Sequence, residues 1–151
     1  MGVAVLDGDE LVYYAVKIVR SKAKSFQELC ACVESIIKRL VEEHRPAVLA
    51  IRQPLIIQQS AEALATVIRE IKQAAQHEGL VVCEYAPKTV RRFICGSTKA
   101  TKRQAAERLA ARFGELHRYL EHRGKWEELY YSKLFEAVGV GLTCHFNTNR
   151  R

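Results

Sequence analysis

An α/β fold with a mixed sheet flanked by helices is what this sequence predicts, and three observations predict it. Runs of strand formers alternate with amphipathic helical stretches along the whole chain. The first residues carry a hairpin signal, and no internal repeat, low-complexity tract or linker interrupts the pattern. With 151 residues, 48% hydrophobic and 27% charged, the chain has the length and balance of one globular domain, assigned to residues 1–151.

The opening GVAVLDGDELVYYAVKIV reads as a β-hairpin, because Asp7-Gly8-Asp9 lies between apolar runs and glycine supplies the positive φ of a tight turn. A charged RSKAK loop follows. Ser25 and Glu28, three apart, form a capping box. Phe26, Leu29, Cys30, Val33, Ile36, Ile37 and Leu40 then recur at three and four, so a helix runs to EHRP, where Pro46 disfavours its continuation. Residues 47–52 form a short buried strand that Pro54 stops. A second helix runs from Ser60 to Gln76 with Leu64, Val67, Ile68 and Ile71 inward, and Gly79 closes it before the strand LVVCEY. Pro87 suits the first turn of a short helix, KTVRRFI, broken by Gly96-Ser97-Thr98. Thr101 and Gln104 make a second capping box for the helix KRQAAERLAARF. After a polar, His-rich loop a last helix runs from Lys125 toward Leu142, and the tail NTNRR is expected to be loose. Strands alternating with helices imply a three-layer α/β/α arrangement.

Charge is concentrated. Between Lys88 and Arg112 lie eight basic residues against Glu107, a net +7 that equals the charge of the whole chain, so the remainder sums to zero. Such a segment is the footprint of a polyanionic partner, or else a solvated helix face. Five scattered cysteines make no disulfide framework, and four of them sit beside apolar residues as small core hydrophobes. Cys144 and His145 have no second pair at zinc spacing, and the histidines form no nucleophilic triad. No apolar stretch approaches the roughly 20 residues of a bilayer span, and no signal peptide is read, so a cytoplasmic address and no membrane partner are expected.

Four stretches together resemble the RuvC-type Holliday junction resolvases of the ribonuclease H-like superfamily. They are the hairpin; VLAIRQP, where the family reads A-I-E-Q; EYAPKTVRRFICGSTKATKRQ, close to E-Y-x-P-x-x-V-K-x-x-x-x-G-x-x-x-A-x-K-x-Q; and LFEAVGVGLTCH, similar to D-A-x-D-A-L-A-I-A-x-T-H. The third matches at Glu84, Tyr85, Pro87, Val90, Gly96, Ala100, Lys102 and Gln104. The resemblance implies a ribonuclease H-like fold, a homodimer, and a site where four carboxylates hold two magnesium ions to cut branched DNA. Two cations about 4 Å apart clamp the attacking and leaving oxygens, which requires hard anionic ligands.

Aligned on that pattern, the catalytic positions are degenerate. The family's first strand, G-I-D-P-G, would precede residue 2; the sequence is truncated, starts at a misplaced residue, or lacks that strand. Asp7 falls in the hairpin turn and does not replace it. The carboxylate of A-I-E-Q is Arg52, one acid of the last helix is Lys133, and Glu136 alone survives, unless another register brings in Glu127 or Glu128. Cations beside a dication cost Coulomb energy, so no cofactor is expected, with magnesium retained only if the chain is active. Glu136 then pairs either with Arg52 or, at i, i+3, with Lys133.

The resemblance further implies phosphate contacts from Lys88, Arg91, Arg92, Lys99, Lys102 and Arg103, joined by backbone N–H groups at Gly96–Ala100 and the following helix N-terminus. The expected function is a catalytically degenerate RuvC-like protein that binds branched or duplex DNA. Two alternatives stand beside it: an active magnesium-dependent junction endonuclease whose N-terminus is missing, and a dimeric scaffold that binds no DNA.

Overall fold

A computed structural model describes residues 1–19, 25–54 and 61–149. The RSKAK loop, residues 55–60 and the last two arginines lie outside the described residues. The chain divides into two units, residues 1–17 with 85–151 and residues 18–84.

In the first unit, β1 (Gly2–Asp7) and β2 (Glu10–Val16) form the expected antiparallel hairpin, with Asp7 opposite Glu10 and a bulge between Val5 and Leu6. Gly8 turns the chain with φ +57, the conformation only glycine adopts without strain. Helices α3 (Pro87–Cys95), α4 (Lys102–Arg112) and α5 (Lys125–Asn149) complete the unit, with a 3-10 segment at Gly114–Tyr119. Pro87 occupies the first turn of α3, and Gly96 ends it at φ +74. Both halves of the α4 capping box are made: Gln104 N–H donates to Thr101 Oγ1 at 3.1 Å, and Thr101 N–H to Gln104 Oε1 at 2.9 Å. The core joins Leu109, Ala110, Phe113 and Leu116 to Leu134, Phe135, Val138 and Leu142 of α5.

Glycine decides how closely α5 packs. A Cβ at Gly2 would strike the Lys133 carbonyl, so β1 begins directly against the α5 backbone. On α5 itself, a Cβ at Gly139 would lie 2.8 Å from Ile94 Cδ1 and one at Gly141 would lie 2.6 Å from Leu6 Cδ1. Two residues apart on a helix are nearly opposite. One glycine therefore admits α3 and the other admits β1.

In the second unit, α1 (Phe26–His44) packs on α2 (Ala61–His77), and β3 (Val48–Arg52) pairs with β4 (Val81–Tyr85). Ser25 Oγ accepts from Glu28 N–H at 3.3 Å, as its spacing predicts. Val33, Ile37, Ala75 and Leu80 form the buried centre. The mixed α/β content holds, with the described strands paired as two two-stranded sheets flanked by helices.

Several expectations are corrected. The last helix continues to Asn149, because Phe146 packs on Phe93 (ring centroids 5.5 Å apart) and Thr148 Oγ1 donates to the Cys144 carbonyl at 2.9 Å. The His-rich loop is largely the 3-10 segment, held by buried Leu116. Leu64 is exposed, because its place in the first turn of α2 leaves it beyond the packed part of the stripe. Of the five cysteines only Cys144 is buried; Cys32 is exposed, off the apolar stripe of α1. No described helix is long and apolar enough to cross a membrane.

Gly2→Ala is expected to lower the unfolding free energy by about 2 kcal/mol, since the new methyl meets backbone that has no rotamer to move. Gly8→Ala has open space around it and loses about 1 kcal/mol to its φ alone. Urea unfolding of the two variants measures the difference.

Candidate nucleic-acid interface

Two predicted sets of residues converge in the first unit. Lys102, the first residue of α4, places Nζ 3.1 Å from Glu136 Oε1, and Lys133 places its Nζ 3.7 Å from Glu136 Oε2. The i, i+3 pairing on α5 is therefore made, and a lysine expected to touch phosphate joins it from another helix. Glu136 is largely buried at 20% side-chain exposure, while Lys102 and Lys133 are open at 66% and 47%. The cluster carries a net charge of +1 around one carboxylate. The Met1 ammonium, which donates to the Lys17 carbonyl at 2.7 Å, has its pKa lowered by burial and then by the Lys133 charge. Arg52 closes β3 in the second unit and is half-buried there.

The donor set does not fit a pair of magnesium ions. Each Glu136 oxygen faces an ammonium, and a dication there would be repelled by both. Among the described residues no group of three or more His, Cys, Asp or Glu side chains is placed to share a metal.

The eight cations of the basic segment fall into distinct roles. Arg103 is committed internally: Nε donates to Glu107 at 2.8 Å and a terminal nitrogen to the Leu120 carbonyl at 3.1 Å. Arg112 binds Asp9 at the hairpin tip at 2.9 Å and lies over the Phe113 and Phe146 rings. Arg91 is half-buried, with its Nε lacking a hydrogen-bond partner among the described residues. Lys88, Arg92, Lys99 and Arg108 are exposed and make no ion pair among the described residues. Lys88 and Arg92, four apart, share one face of α3. Lys99 and Arg108 line a shallow cleft of about 470 Å³ with Cys95, Ser97, Ala100, Gln104 and Glu107.

The backbone anion contacts expected at residues 96–100 are largely spent inside the protein. Gly96 N–H donates to the Arg92 carbonyl, Lys99 N–H to Ser97 Oγ and Ala100 N–H to the Ser97 carbonyl. Thr101 and Gln104 use two more donors at the helix N-terminus. Arg108, outside the predicted set, lies one turn after Gln104 on α4 and lines the same cleft.

A family model described as crossover junction endodeoxyribonuclease RuvC matches residues 1–118. The crossover junction endodeoxyribonuclease RuvC of Parvibaculum lavamentivorans is 30% identical over 108 residues, which is 68% of this chain and 61% of that relative. Thermus thermophilus RuvC superposes with a TM-score of 0.74 at 20% identity. T. thermophilus RuvC in complex with a Holliday junction substrate superposes with a TM-score of 0.77 at 21% identity. Each covers 99% of this chain and 87% of its own, a likeness of fold that includes α5.

Arg103→Ala and Arg112→Ala are each expected to lower the unfolding free energy by about 0.5–1 kcal/mol through lost ion pairs and hydrogen bonds. Lys88→Ala and Arg108→Ala are expected to change it by less than about 0.5 kcal/mol. Denaturant midpoints of the four variants, compared at equal slope, check this division.

Proposed function

This chain belongs to the RuvC family of crossover junction endodeoxyribonucleases, and from that membership we propose that it binds branched or duplex DNA without hydrolysing it. The observation that carries the reading is the Lys102–Glu136–Lys133 cluster. Phosphodiester cleavage by paired cations needs several anionic oxygens converging on one place. Here the retained carboxylate is neutralised twice over, and the resemblance puts Arg52 where another acid belongs. What repels magnesium attracts phosphate. Among the described residues, a phosphate oxygen arriving at Lys102 and Lys133 competes with Glu136 alone, and both ammoniums are open to solvent.

The remaining support is distributed. A structural relative is recorded with a Holliday junction substrate. Lys88, Arg92, Lys99 and Arg108 add exposed positive charge beside the cluster in sequence. Lysine and arginine contacts to phosphate position a duplex without reading its bases, so affinity follows DNA shape and falls with salt. The same reading includes pairing of two copies, as the resemblance implies.

A gel shift with four-way junction DNA tests it. Binding is expected in EDTA as well as in magnesium, weakening steeply with added salt. Lys102→Ala and Lys133→Ala are each expected to weaken binding severalfold and reduce the salt slope by about one. Glu136→Gln, which releases both lysines, is expected to tighten it. Magnesium-dependent nicking of the junction, abolished by Glu136→Gln, would overturn the reading.

A further inference from the structure

Trp126 is the one tryptophan of the chain, and it is 64% exposed near the start of α5. Its ring is stacked on Tyr130, centroids 5.2 Å apart and planes 20° from parallel. Tyr130 is fixed in turn: its hydroxyl donates to the Val16 carbonyl at 3.2 Å, and its ring meets Tyr131 edge-on. Leu129, 66% exposed, lies beside the pair. Burial accounts for neither Trp126 nor Leu129.

The face these residues share leads to the cluster already described. At 3.6 residues per turn, Trp126, Leu129, Tyr130 and Lys133 lie within one stripe of α5, while Glu127 and Glu128 point well away from it. Glu127 is occupied as well, accepting the Arg123 N–H at 2.8 Å. Lys133 therefore stands about 10 Å along the helix from Trp126, at about 1.5 Å per residue. That distance is about three steps of a stacked strand, at about 3.4 Å each.

We propose that Trp126 is a platform for an unpaired base of branched or single-stranded DNA, with Lys133 and Lys102 holding that strand's backbone. The proposal rests on the DNA-binding reading and adds the base contact that reading lacks. One π-face of the indole is taken by Tyr130, and its exposure leaves the ring open to a second planar group. Stacking of this kind accepts every base, which suits a strand bound through its backbone. Charge favours a polyanion, because the stripe ends on a cluster with net charge +1. Area disfavours a stable protein partner: two exposed apolar side chains fall far short of the roughly 800 Å² that each partner buries in a standard interface.

The single tryptophan makes its own reporter. Titrating the protein with oligothymidylate and with a four-way junction is expected to quench its fluorescence saturably, and fully paired linear duplex is expected to leave it nearly unchanged. Trp126→Ala is expected to weaken oligothymidylate binding about tenfold, and Trp126→Phe to restore most of the loss. Circular dichroism of both variants should match the parent, since the side chain is exposed. Junction binding by gel shift with unquenched fluorescence, and no effect of Trp126→Ala, would overturn the platform while leaving the DNA-binding reading intact. No binding to any DNA would overturn both. A blue shift that grows with protein concentration in the absence of DNA, and vanishes with self-association in Trp126→Ala, would make this face a contact between copies and overturn the proposal.

Discussion

At Gly2 the backbone of β1 meets the backbone of α5 at Lys133 with no side chain between them. That contact fixes where α5 lies, and with it Lys133 and Glu136. Gly139 and Gly141 extend the same device along α5, letting α3 approach one side of the helix and β1 the other. A helix held this closely has little freedom to slide or rotate. Lys133 and Glu136 are thereby set opposite the first residue of α4, which is itself fixed by a complete capping box. The ion pairs sit on a frame made by packing; they do not make it, as pairs this open to solvent contribute little stability.

At this frame Lys102 and Lys133 flank one carboxylate, an excess of positive charge. The resemblance implies four carboxylates around two dications, an arrangement balanced in charge, whereas one carboxylate beside two ammoniums favours a further anion. Glu136 acts as a local counter-ion. It lies 3.1 Å from one lysine and 3.7 Å from the other and offsets part of their mutual repulsion.

Local chemistry was legible in the residues themselves. Thr101 and Gln104, Pro87, Gly96 and the Gly8 turn all sit where their spacing or type requires, because each is decided within four residues. Long-range events were not. Arg103 reads as a phosphate ligand until its bond to the Leu120 carbonyl, seventeen residues away, is seen. Arg112 reads only as one more charge of the basic segment until it is found holding Asp9 across more than a hundred residues. The extension of α5 past Leu142 depends on Phe146 meeting Phe93, which no local pattern announces. The family model matches only as far as residue 118, so the helix carrying Lys133 and Glu136 is aligned by its fold and by the looser resemblance of LFEAVGVGLTCH.

The hydroxyl of Tyr130, bonded to the Val16 carbonyl, has a further consequence. An exposed indole on an ordinary helix samples several rotamers, and a guest must freeze them before it gains anything. Here the ring beneath is already immobilised by β2, and the indole lies flat on it. Most of that disorder is surrendered when the chain folds, so an arriving planar group forfeits little beyond its own motion.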